Sequence, residues 1–192
     1  MTSVTIFGTG NMANAIGGVF AAGGSSVSYI GRERVGSPNI EGDIVVLAVP
    51  HPAVEEIIST YRDQFAGKTV VDITNPVDFS TFDSLVVPAG SSLTAQIQEK
   101  LPQSNVVKAF NTNFAATLAS GKVGELRTTV LIAGDDLLAK SGLITAIEAG
   151  GLGAIDAGSL SRASELEAIG FLQLTLAVGE QIAWTGGFAS VR

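Results

Sequence analysis

The sequence predicts an α/β fold built on a doubly wound, mainly parallel sheet, and three observations carry that expectation. Short, continuously apolar and β-branched runs recur along the chain, as expected of strands covered on both faces. Longer segments of helical period alternate with them. A glycine-rich turn, Gly8-Thr9-Gly10-Asn11-Met12-Ala13, joins the first apolar run to the first helical segment.

Strands are predicted near Ser3 to Phe7, Ser26 to Ile30, Asp43 to Val49, Thr69 to Ile73, Asn105 to Ala109, Thr128 to Ala133 and Gly153 to Asp156. After the first strand, Met12, Ile16, Val19 and Phe20 fall on one helical face, and Gly23-Gly24 ends that helix. Ala53 to Phe65 places Val54, Ile57, Ile58 and Tyr61 on one side, and Asp135 to Ala149 does the same with Leu138, Ile144 and Ile147. Only about a dozen residues separate the second strand from the third, and Gly36, Ser37 and Pro38 fall there, so a usual helix-plus-strand unit does not fit. The half of the sheet that would carry adenine is therefore expected to be truncated. Asn75 to Ser92, with Pro76, Pro88 and Gly90, reads as a loop over the carboxyl edge of the sheet. Glu165 to Trp184 has near-continuous helical period, enough for about 5 turns, stopped by Thr185-Gly186-Gly187-Phe188.

At 192 residues, 46% hydrophobic and 15% charged, the chain suits one compact domain with a core of its own. Eleven Lys and Arg against eighteen Asp and Glu give a formal charge of -7, with no basic run for a nucleic acid. No apolar stretch reaches the ~18 residues of a membrane span and no signal peptide is visible, so a soluble, cytoplasmic protein is expected. Zero cysteines exclude disulfides, thiolate catalysis and sulfur-bound metals, and a single histidine excludes a His-rich metal site.

The glycine turn has the context of a Rossmann dinucleotide site, with the strand Val4-Thr5-Ile6-Phe7 before it and an amphipathic helix after it. Gly8 permits the tight turn, Gly10 lets a diphosphate approach the backbone, and amides at the helix start favour negative charge. Ala13 takes the third position of the pattern. The second strand ends Tyr29-Ile30-Gly31-Arg32-Glu33-Arg34, where an acid would bind a ribose 2′-hydroxyl and a base a 2′-phosphate. Arg32 and Arg34 favour NADP(H) over NAD(H); Glu33 opposes them, and strand alternation would aim it away.

His51, the single imidazole, is the candidate proton donor, set against a plain turn-shaping role between Pro50 and Pro52. Asp72 is expected to orient Asn75 or cap the following turn. Asn111 offers an amide for a nicotinamide carboxamide, with turn formation as the competing explanation. Lys108 is given no catalytic role, whether paired or solvated.

The blocks Gly8-Thr9-Gly10-Asn11-Met12, Leu47-Ala48-Val49-Pro50, Val71-Asp72-Ile73-Thr74-Asn75-Pro76, Val107-Lys108-Ala109-Phe110-Asn111-Thr112 and Asp156-Ala157-Gly158-Ser159-Leu160 occur in order. Together they resemble the NADP-dependent reductases related to the oxidoreductase that exchanges hydride with the 8-hydroxy-5-deazaflavin coenzyme F-420. The resemblance is closest to the short dinucleotide-binding oxidoreductases of that group, including the ending Trp184-Thr185-Gly186-Gly187-Phe188. The cytoplasmic domain of six-transmembrane metalloreductases is similar as well.

The resemblance implies that Thr9 and Asn11 hold phosphate and that Arg32, with Arg34, holds the 2′-phosphate. It implies that Ala48, Val49 and Pro50 pass the ribose and nicotinamide, with His51 nearby. Asn75, Pro76 and Ala109 to Asn111 would complete the nicotinamide wall. The expected cofactor site is therefore Gly8, Thr9, Gly10, Asn11, Met12, Gly31, Arg32, Arg34, Ala48, Val49, Pro50, His51, Asn75, Pro76, Ala109 and Asn111, with no metal.

The expected function is hydride transfer between NADP(H) and a deazaflavin or flavin-like acceptor, because two oriented rings need little acid-base machinery. The alternatives are a reductase of a small imine, carbonyl or quinone and a non-catalytic NADP(H)-sensing module. Residues 1–192 are taken as one NADP(H)-binding domain, with 161–192 as a C-terminal helical extension. Phe171, Leu172, Leu174, Leu176, Ile182 and Trp184 on that extension would meet a second subunit or cover the substrate pocket, and a homodimer is expected.

Overall fold

A computed structural model describes residues 2–36 and 38–191, so Ser37 of the short interval lies outside the described residues. The strands are β1 (Ser3–Phe7), β2 (Ser26–Ile30), β3 (Ile44–Leu47), β4 (Thr69–Asp72), β5 (Asn105–Lys108), β6 (Lys122–Val123), β7 (Leu126–Arg127), β8 (Thr129–Gly134) and β9 (Gly153–Gly158). The helices are α1 (Asn11–Ala22), α2 (His51–Tyr61), α3 (Leu93–Lys100), α4 (Ala115–Ser120), α5 (Leu137–Ala149) and α6 (Ala163–Val178).

Seven strands form one sheet in the order β2-β1-β3-β4-β5-β8-β9, and β6-β7 is a separate hairpin. All pairs in the large sheet are parallel except β5-β8. Its strand order is that of a Rossmann-type sheet with β2 at its edge, which is the truncated adenine side expected from the short interval. In place of a helix and strand, residues Arg32–Arg34 make one turn of 3₁₀ helix. The rest of the interval is tied to α2 and the turn after it: Gly36 N donates to Tyr61 Oη at 2.8 Å and Ile40 N to Gln64 Oε1 at 2.8 Å.

Alternate residues of the continuously apolar strands feed two cores, one per face. Val4, Ile6, Val46, Val71 and Val107 pack with Ile16 and Phe20 of α1 and Leu143 and Ile147 of α5. Phe7, Val45, Leu47, Val70 and Val106 pack with Val54, Ile57 and Tyr61 of α2 and Ile97 of α3. Because β1 lies between β2 and β3, the chain leaves its two flanks in opposite directions and opens a crevice at the strands' carboxyl ends.

Two helical expectations are corrected. The final helix stops at Val178 rather than Trp184, because Gly179 caps it and Glu180 takes a left-handed φ of 58°. Its buried face is Ala163, Leu166, Glu167, Gly170, Gln173 and Ala177, so Leu172 and Val178 are left exposed. In α5 the inner face is Ala139, Leu143, Ala146 and Ile147, and Leu138 is 82% exposed, one helical step from its expected place. No helix among the described residues is long and apolar enough to cross a membrane.

Candidate functional site

Phe7 ends β1 and the chain turns at once, which Gly8 permits with φ 109°. A Cβ on Gly8 would run into the Ala48 carbonyl, so glycine is required by close approach as well as by its dihedral. Gly8 N donates to Ile30 O and Ala48 N to Phe7 O, both at 2.9 Å, locking the turn between the tips of β2 and β3. Gly10 then opens α1 without a side-chain cap, and no acid lies in the first helical turn. The first amides of the 12-residue helix thus lack helical carbonyls, and the positive end of its dipole faces outward. A Cβ on Gly10 would meet nothing within 4 Å, so the space in front of those amides is open. Asn14 Nδ2 braces the turn by donating to Thr9 O at 3.1 Å, while Ala13 is fully buried in the core.

One strand over, Gly31 is buried and Arg32, Glu33 and Arg34 are exposed. Neither guanidinium has an ion-pair partner among the described residues. Glu33 is not carried away by strand alternation, since residues 32–34 coil rather than extend. Its carboxylate folds back over Gly31, with Oε1 2.5 Å from where a Cβ on that glycine would stand.

At the other end of the turn a cleft of about 420 Å³ opens between α1, the tips of β4 and β5, and α6. Asn11, Met12, Ile73, Asn75 and Asn111 line it together with Asn113, Phe114, Leu174 and Trp184. Among the described residues, none of its lining side chains is ionisable. Phe110, fully buried, takes φ 62° and turns the chain after β5 so that residues 111–114 reach this cleft. Asn75 Nδ2 donates to Asn111 O at 2.8 Å, and Asn111 Nδ2 donates to Asn75 Oδ1 at 2.9 Å and to Leu166 O at 2.7 Å. These partners are all acceptors, which fixes both amides and leaves Asn111 Oδ1 buried with no donor among the described residues. Asn113 is held likewise, its Nδ2 donating to Thr129 O at 3.1 Å and its Oδ1 having no partner. Gly170 allows α6 this close, because a Cβ there would overlap the Asn75 amide.

Beneath the cleft lies a buried ionic cluster. Lys108 Nζ is 2.8 Å from Asp72 Oδ2 and 3.0 Å from Glu167 Oε1, and all three side chains are fully buried. Asp72 Oδ1 accepts from Thr74 N at 2.9 Å and Thr74 Oγ1 at 2.8 Å, so Asp72 caps the turn leading to Asn75. Glu167 accepts from Leu93 N at the start of α3, and burial pushes its pKa above the usual carboxylate value, against the opposing pull of Lys108.

The structure thus brings Asn11, Met12, Asn75 and Asn111 into one cleft, but not His51. His51 is the first residue of α2, its ring stacked on Phe79 with centroids 5.8 Å apart, and burial lowers its pKa below 6.5. Its Nδ1 is buried and has no partner among the described residues. Ala48 and Val49 are half-buried and Pro50 is exposed, whereas Pro76 and Ala109 are buried behind the surface. Asn113, Phe114 and the Lys108 cluster were not anticipated as site elements. A charge inside Val-Val-Lys-Ala-Phe and a Glu and a Gln on the apolar final helix were the available signals. A separate groove of about 460 Å³ between α1, α4 and Gly150-Gly151 has no ionisable lining residue and lies away from the turn's open face.

Residues 37–76 match the family model described as NADP oxidoreductase, coenzyme F420-dependent. An F420-dependent NADP reductase from Methanocaldococcus jannaschii is 29% identical over 167 residues, which cover 85% of this chain and 74% of that protein. The metalloreductase STEAP3 of Rattus norvegicus is 34% identical over 138 residues, 72% of this chain but only 26% of that protein. Among solved structures, a candidate F420-dependent NADP reductase from Arthrobacter sp. FB24 superposes with a TM-score of 0.86 at 24% identity, each chain covered in full. In sequence and in fold, the chain resembles the coenzyme F420-dependent NADP oxidoreductases.

Proposed function

We propose that the protein is an NADP-dependent oxidoreductase that exchanges hydride between NADP(H) and a deazaflavin or other flavin-like ring. The observation that carries this reading is the cleft that begins at Asn11 and Met12 of the glycine turn, is walled by Phe114 and Trp184, and has no ionisable lining among the described residues. The residues present suit a dinucleotide. The uncapped amides of α1, with open space before Gly10, suit the diphosphate, and Arg32 and Arg34 suit the 2′-phosphate. Ala48 and Val49 stand beside Gly8 and suit the ribose between the diphosphate and the cleft. There the donorless Asn111 Oδ1 and Asn113 Oδ1 suit the N–H groups of a carboxamide.

When bound, NADPH supplies the hydride. The chain's own part is to hold the donor by its phosphates, orient its carboxamide and present flat apolar surfaces to a second ring. Reduction of an imine or carbonyl also requires a positioned proton donor, and the described residues of the cleft lining include none. The described chain is taken as one cofactor-binding domain, and the exposed Leu172 and Val178 of α6 suit a homodimer contact.

NADPH oxidation against a panel of 8-hydroxy-5-deazaflavin, flavins, quinones and ferric chelates tests the reading. Turnover with a ring acceptor is expected. Tight NADPH binding without turnover on any member would overturn it in favour of a nucleotide-sensing module.

A further inference from the structure

The tip of β2 holds one charge too many for a simple 2′-phosphate pocket. Phe7 pairs with Ile30 in the parallel register and Gly8 N donates to Ile30 O, so Gly31 and the turn that follows stand about one strand spacing, ~4.8 Å, from the glycine turn. If the diphosphate occupies that turn, the adenosine ribose falls beside residues 31–34. Two guanidiniums and one carboxylate, none with an ion-pair partner among the described residues, stand there. In a 3₁₀ turn successive side chains diverge by about 120°, which keeps Glu33 from pairing with either neighbouring arginine. The carboxylate lies instead on the bare backbone of Gly31, with Oε1 and Oε2 at 2.5 and 2.8 Å from the place of the missing Cβ.

We infer that Glu33 sets cofactor selectivity against the two arginines, so that the site accepts NADH as well as NADPH. A carboxylate at a strand tip accepts a hydrogen bond from a ribose 2′-hydroxyl, whereas the same group repels a 2′-phosphate. Arg32 and Arg34 act in the opposite sense. Gly31 makes the arrangement possible, since any Cβ there would displace the carboxylate while the backbone, at φ -74°, would tolerate it. The inference rests on the reading of Arg32 and Arg34 as the 2′-phosphate site.

Dissociation constants for NADPH and NADH, measured by titration without any acceptor, test it on wild type, Glu33→Gln, Gly31→Ala and the double variant Arg32→Ala/Arg34→Ala. Glu33→Gln should tighten NADPH about tenfold, the effect of one carboxylate on a doubly charged phosphate across about 6 Å of water-like dielectric. It should leave NADH unchanged or up to about threefold weaker, and Gly31→Ala should move the ratio the same way. An unchanged ratio in Glu33→Gln, or weaker NADPH binding, overturns the inference. If the double arginine variant keeps wild-type affinity for NADPH, the 2′-phosphate reading itself fails. Loss of NADPH affinity there with an unmoved Glu33→Gln ratio sinks only the selectivity role.

Discussion

Lys108 and Asp72 are register partners on adjacent parallel strands, and their side chains meet at 2.8 Å with no solvent exposure on either. Lys108 Nζ also donates to Thr74 O at 2.6 Å, two residues after Asp72 and one before Asn75. The pair therefore ties the tips of β4 and β5 together directly under the cleft. Thr94 Oγ1 donates to Asp72 Oδ2 at 2.7 Å and links α3 to the same cluster. One cation serves two buried carboxylates, so its removal leaves both without their main partner.

Lys108→Met should accordingly lower stability by about 3–5 kcal/mol, a cost set by stranded buried charge rather than by lost packing. Urea denaturation checks this. A loss under about 1 kcal/mol would mean that the cluster reorganises or that water enters it.

Glu167 gives the cluster a pH dependence of defined sign. Burial raises its folded pKa above 4.5, so the folded state binds the proton more readily than the unfolded one. Its stabilising contribution is complete below about 4.5 and is lost as pH rises through the folded value. The stability of Glu167→Gln relative to wild type, read from denaturation midpoints, should therefore rise as pH increases from about 4.5 through the folded value. A constant difference across that window would contradict the sign.

His51 should titrate below 6.5 in the ligand-free protein, as read from its imidazole resonances by NMR, because burial disfavours the imidazolium. Replacing Phe79, which covers the ring, by alanine should move the midpoint back toward 6.5. Outside the cleft and neutral at pH 7, His51 is badly placed as a proton donor, and His51→Ala should keep turnover with a ring acceptor within about threefold. Loss of turnover with intact NADPH affinity would restore it to a direct role.

The apolar outer face of α6 predicts self-association. Light scattering should give twice the chain mass, and Leu172→Glu with Val178→Glu should return it to the monomer value, since both residues are more than half exposed. A monomeric wild type at micromolar concentration would count against the dimer.

The sheet was legible because its strands are unbroken apolar runs, and the glycine turn because a strand and a helix flank it. The end of α6 was not, since Gly179 and Glu180 stop the helix inside a segment whose helical period continues to Trp184. Its burial pattern was hidden for a related reason: besides Leu166 the inner face is Ala, Gly, Glu and Gln, which serve close approach and buried partners, while Leu172 faces outward. Asn111 was legible through its place after β5, but the orphaned oxygens of Asn111 and Asn113 arise from contacts with Leu166 and Thr129, far along the chain. The direction of Glu33 followed from a 3₁₀ turn where extended strand was expected.

In the proposed function, the cleft between Met12, Asn111 and Trp184 brings two rings together for direct hydride transfer. NADPH carrying deuterium on the transferred position, given to the protein with 8-hydroxy-5-deazaflavin, tests it most directly by mass spectrometry of the reduced acceptor. Deuterium retained on the acceptor's ring carbon, with none exchanged from solvent, is the expected result. Reduced acceptor carrying only solvent hydrogen, or no reduced acceptor at all from protein saturated with NADPH, would contradict it.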